Sequence, residues 1–190
     1  MTVKQVLKLT MFYIGREDLL KYSIFGGEDE TIPTAAEQAE IDKLVKCLNL
    51  VIKEIATDYM PLKRRLVIQV RNKMFEFDTL PDTLLDVVSL KTLLGIRTKC
   101  EIFPSHLACE DGKYELTYHY LPDELEIDDD IPNFYGKLDE RVFAFGTAME
   151  HSYSNCLFDD AQLWENRYKT ALLCAGRKRR EMTVAKRGWF

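Results

Sequence analysis

The chain predicts an α+β fold, a helical frame with a small antiparallel β module inserted into it. Three observations carry this. Apolar residues recur at the helical period over 34–60 and again over 137–175. Between those stretches the period falls to two. Two capping-box pairs, Thr34/Glu37 and Asp159/Gln162, stand at the expected helix starts. The expected organisation is one domain over 1–176, with helices over 3–25 and 34–60, a β module over 64–121 and helices over 137–175. An extended basic arm over 177–190 follows.

Thr2 caps a first amphipathic helix through Val3, Val6, Leu7, Met11 and Ile14, with Gly15 as its stop. A second short helix over 17–25 ends at Gly26-Gly27, and an acidic connector with Pro33 follows. The long helix opened by Thr34 carries Ile41, Leu44, Val45, Leu48, Val51, Ile52, Ile55 and Tyr59 on one face, until Pro61 ends it.

The middle of the chain reads as five strands. Residues 66–70 and 74–77 flank Arg71-Asn72-Lys73 as a β-hairpin. Strands are expected over 85–90 and 98–103. The run Tyr114, Leu116, Tyr118, Tyr120 puts one face of a fifth strand inward. Leu138, Val142, Phe145, Met149 and Tyr153 then make one helical stripe. Ala161, Trp164, Tyr168, Leu172 and Ala175 make the next, capped by Asp159. So short a turn between them predicts an antiparallel helical hairpin.

The 190 residues are 46% hydrophobic and 30% charged, enough for a real core. The formal charge of −5 is unevenly spread: residues 177–190 hold six Lys/Arg and one Glu, which leaves −10 for 1–176. Five cysteines without a CxxC pair read as reduced, mostly buried thiols. No run approaches the ~20 apolar residues of a membrane span, and no signal peptide is expected at the start.

No nucleotide-binding, nucleophile-elbow or zinc-protease motif occurs, and Gly26-Gly27 precedes carboxylates, the wrong sign for cradling phosphate. Asp128-Asp129-Asp130 could ligate a hard cation, but consecutive carboxylates diverge. His151 and Cys156 stand five apart across a helix break, which fits no zinc pattern, although partners of a nucleophilic pair need only meet in space. The chain therefore reads as no enzyme, with no cofactor and no metal.

Two charged segments carry the functional reading. The proline-bounded segment 122–132 holds Asp123, Glu124, Glu126, Asp128, Asp129 and Asp130 with no base, a charged loop at the surface. The arm runs through Arg177, Lys178, Arg179 and Arg180 to Lys186, Arg187, Gly188, Trp189 and Phe190. Aromatics behind a basic run suit an anchor that fills an apolar pocket on a partner while its bases meet carboxylates. A frayed terminus and a phosphate-binding tail are the other readings of the arm. Against the second, the body is acidic and shows no interleaving of basic and aromatic residues.

Taken in order, several stretches resemble the head–tail connector (adaptor) proteins of tailed bacteriophages. These are 2–7 (TVKQVL), 55–62 (IATDYMPL), 118–122 (YHYLP), 145–150 (FGTAME), 161–168 (AQLWENRY) and 186–189 (KRGW). The likeness spans nearly the whole chain, closest to versions with a β module between the helices. Here Gly188 separates the basic pair from Trp189. The resemblance implies a homo-oligomeric ring, usually of twelve copies, in the virion neck. It implies a portal protein on one side, a stopper or tail protein on the other, and genomic DNA passing through the lumen without sequence-specific binding. It also implies that residues 177–190 are the portal-docking arm and that 123–130 lie at a ring surface. Assembly in the host cytoplasm and no membrane partner go with it. The alternative is a small regulatory or nucleic-acid-binding module acting through its basic tail.

Overall fold

In the computed structural model, residues 1–27, 32–134 and 138–176 are described below. The described residues form an α+β mix of four helices and two three-stranded antiparallel sheets. Helix α1 spans Val3–Tyr13, α2 Ala35–Glu54, α3 Glu140–Ser154 and α4 Phe158–Gly176. Strands β1 (Leu62–Val70), β2 (Met74–Glu76), β3 (Thr83–Thr92), β4 (Glu101–Ile102), β5 (His106–Ala108) and β6 (Gly112–Leu121) all fall between α2 and α3.

Thr2 and Thr34 cap α1 and α2 in complete capping boxes, with Gln5 and Glu37 reaching back to the cap amides. Thr34 and Tyr22 both bond the Glu37 carboxyl and hold it down at about 2. The expected helix over 17–25 is two 3₁₀ pieces, Glu17–Lys21 and Ser23–Phe25, because Tyr22 between them is extended. Past Glu54 the α2 ladder widens into a π turn, Ile55–Tyr59. That turn rotates the helical phase and leaves Tyr59 exposed, where the regular period expected it inside.

The β1–β2 hairpin expected from the sequence does not form as a ladder. Asn72 and Lys73 both take left-handed φ, 55° and 60°, and Arg71 bridges Met74, so the turn itself is a hairpin turn. Beyond that single bridge the strands part. β1 pairs with β6 along its whole length, Leu62↔Tyr120 to Val70↔Gly112, and β2 pairs with β5. A ten-residue partner with an inward Tyr/Leu face, paired with β1 at nine positions, outcompetes a three-residue one. The sheets run β1-β6-β3 and β2-β5-β4. Thus the expected strand over 98–103 shrinks to Glu101–Ile102, and β5 is a sixth strand that periodicity did not reveal.

Two apolar clusters result. One joins the helices, from Val3 and Leu7 through Leu44 and Ile52 to Phe143, Trp164 and Leu172. The other lies between the sheets around Val70, Phe77, Leu107, Tyr114, Leu116 and Tyr118, with Tyr120 packed against both. Tyr118 donates to Asp82 (2.9 Å), Arg64 pairs with the same carboxylate (2.8 Å), and burial with that bond pushes the phenol up to about 12. Helix α3 is buried on more than one stripe. Ala144, Gly146, Thr147, Ala148 and Ser152 are inside as well as Val142 and Met149, because α1, α2 and α4 all pack on it.

The expected Asp159 cap is also displaced. Cys156 N–H donates to Tyr153 O (3.0 Å) and Leu157 N–H to Ser152 O (2.9 Å), the paired bonds of a Schellman ending. Leu157 O already accepts from Ala161, so α4 starts at Phe158 and Asp159 sits in its first turn. The cysteines are less buried than expected: Cys47 is buried, Cys100 and Cys109 are half-buried, and Cys156 and Cys174 are exposed.

Candidate functional site

The acidic segment is a strap laced across the helical frame. Its apolar residues alternate with its carboxylates. Leu125 and Ile127 pack on the frame, Ile131 and Phe134 are buried in it, and Asp123, Glu124, Glu126, Asp128, Asp129 and Asp130 face solvent. Buried Asn49 of α2 grips the strap backbone twice: its amide donates to Leu125 O and its carbonyl accepts from Leu125 N–H, both at 2.9 Å. The far end pairs with the start of α1. Val3 N–H donates to Asp129 O and Ile131 N–H to Met1 O, each at 3.0 Å, around a Thr2↔Asp130 bridge.

Three of the six carboxylates are engaged by cations of the frame. Lys53 meets Glu124 (2.8 Å) and lowers its pKa, Lys4 meets Asp128 (2.5 Å), and the N-terminal amine stands 4.0 Å from Asp130. Exposed Asp129 accepts from the Glu126 amide within the strap (2.7 Å). The strap remains a net negative surface, held in one shape by its backbone and not by its charges. Among the described residues no three His, Cys, Asp or Glu side chains gather where they could hold a metal.

His151 is buried. Its Nε2 lies 2.6 Å from Glu40 Oε1, and Arg16 Nη1 approaches the same oxygen at 3.4 Å. Asn155 Nδ2 sits 3.1 Å from the ring. This ion cluster ties α3, α2 and the turn after α1 together. Cys156 lies past the helix end and is exposed. A second polar cluster, Glu54, Glu150 and Tyr168, occupies the α2–α3–α4 junction. Burial raises both carboxyls, Glu54 raises Glu150 further, and Tyr168 donates to Glu54 at 3.1 Å.

One surface went unread in the sequence. Past β3 the chain folds back tightly: Gly95 N–H donates to Thr92 O, and Thr92 N–H to Ile96 O, both at 2.8 Å. Gly95 sits at φ 82°. The tip exposes Leu93 (61%), Leu94 (87%) and Ile96 (64%). Three aliphatics around a glycine, with Lys91, Arg97 and Lys99 beside them, broke the strand alternation and were the available signal.

The portal-docking assignment to Arg177, Lys178, Arg179, Arg180, Lys186, Arg187, Trp189 and Phe190 lies outside the described residues. No protein-family model matches this chain, and no curated protein matches it.

Proposed function

We propose that the protein is a structural subunit of the neck of a tailed bacteriophage, a ring former that joins the portal to the tail or stopper while DNA passes through the lumen. The observation that supports this most is architectural. A β module with its own apolar cluster is inserted between α2 and α3 of a four-helix frame, the arrangement that the resemblance led us to expect. The role proposed is mechanical. Identical copies, twelve in this reading, make heterologous contacts that close on themselves. The acidic strap repels the phosphate backbone wherever it faces DNA. The arm over 177–190 plugs the portal through Trp189 and Phe190, and its bases meet portal carboxylates. No described helix is long and apolar enough to cross a membrane.

The test is affinity purification from a natively producing source, with the full chain beside one ending at Gly176. A portal or virion vertex captured by the full chain and lost on truncation is the expected result. Capture of DNA, of an unrelated enzyme, or of nothing by either form would overturn the reading. Retention of the portal by the truncated chain would remove the arm's role alone.

A further inference from the structure

We propose that the Leu93–Ile96 finger of one copy docks on the acidic strap of a second copy. This rests on the ring reading and names one of its contacts. The finger presents Leu93, Leu94 and Ile96 to solvent, and residues 91–100 hold three bases and no carboxylate. Exposed aliphatics collared by cations fit a partner surface where apolar side chains are flanked by carboxylates. The chain itself has such a surface. On the strap, half-buried Leu125 and Ile127 sit between six carboxylates; Lys53, Lys4 and the N-terminal amine engage three of them, and Asp123 and Glu126 make no ion pair among the described residues.

A single copy cannot bring the two surfaces together. Thr92 pairs with Tyr114 near the start of β6, whereas the strap leaves from Leu121 at its end. Seven residue steps along β6, from Tyr114 to Leu121, separate them, roughly 23 Å at about 3.3 Å per residue. Complementary patches that start from opposite ends of β6 and its partner β3 are satisfied between copies. Two different patches meeting head to tail give the heterologous contact that a closed ring uses.

Site-directed cross-linking of the full chain tests this. Cys156→Ala and Cys174→Ser first remove the exposed native thiols. One preparation then carries Leu94→Cys and the other Glu126→Cys, with Thr79→Cys, exposed elsewhere on the β module, as the control donor. On mixing and mild oxidation, the 94–126 heterodimer is expected at least about tenfold faster than the 79–126 one, because docking raises the local concentration of the paired thiols. Adding Leu93→Asp or Arg97→Glu to the finger chain is expected to erase that advantage. Equal rates for the two donors, or a 94–126 link that survives both changes, would overturn the contact. If purified virions link position 94 only to a different protein, the second-copy occupant is likewise overturned. When the contact fails but the full chain still captures a portal, the ring reading stands without this interface. When neither is seen, both fall.

Discussion

Cys156 ends α3 at φ 59°, one residue past the Asn155 cap, where a side chain crowds the backbone and glycine does not. Because the Schellman bonds are already made, replacing Cys156 with Gly relieves that crowding and costs no contact to an exposed thiol. Cys156→Gly should stabilise the protein by about 1 kcal/mol and raise the melting temperature by roughly 2–4 °C. Glu150 behaves in the opposite sense. Its folded pKa is raised by burial and by Glu54, so folding favours the protonated acid. That advantage is full below the unfolded value near 4.5 and is lost as pH rises through the folded one. Glu150→Gln should therefore raise the melting temperature at pH 7 and lose its advantage near pH 4. Paired thermal melts at the two pH values check this.

At the scale of elements, α3 packs closely where it meets α2 and α4. A Cβ on Gly146 would lie 2.7 Å from Val51 Cγ1 and 3.0 Å from Tyr168 Cε2. Alanine should gain ~1 kcal/mol of helix propensity, but overpacking two buried side chains costs about 1–3 kcal/mol. We expect Gly146→Ala to be a net loss, measured by urea denaturation. The strap depends on Asn49. Asn49→Ala leaves the Leu125 amide and carbonyl without their partner and should cost about 1–3 kcal/mol. Hydrogen exchange at Leu125 should quicken while that of mid-α3 amides stays slow. Much of this layer was legible in the sequence. The Thr2 cap, the Thr34/Glu37 capping box, the long core helix and the inward face of β6 follow from local pattern alone. Strand pairing did not, since the Asn72-Lys73 turn announces a hairpin whose ladder is then decided by competition with β6, forty residues on. The strap was legible as charge but not as structure: its alternating Leu125, Ile127 and Ile131 were hidden under the carboxylate count.

Across the whole molecule, two apolar clusters meet at Tyr120. Leu116 is fully buried in the β cluster, and Leu116→Ala should cost about 2–5 kcal/mol. Exchange should then rise across residues 62–121 and remain slow over α2 and α3. Uniform acceleration would show instead that the two clusters unfold as one unit.

The pairing of residues 1–3 with 129–131 also fixes an order of events during synthesis. Helix α1 is made before α3 and the strap, yet it packs chiefly against α3 and is fastened at its start by the strap. Neither exists until some 130 residues later in the chain. At bacterial or eukaryotic elongation rates of about 5–20 residues per second, α1 waits seconds for its partners. Its apolar face of Val3, Val6, Leu7 and Met11 stays uncovered over that interval. A helix made well before its partners is among the last of the described helices to find its place.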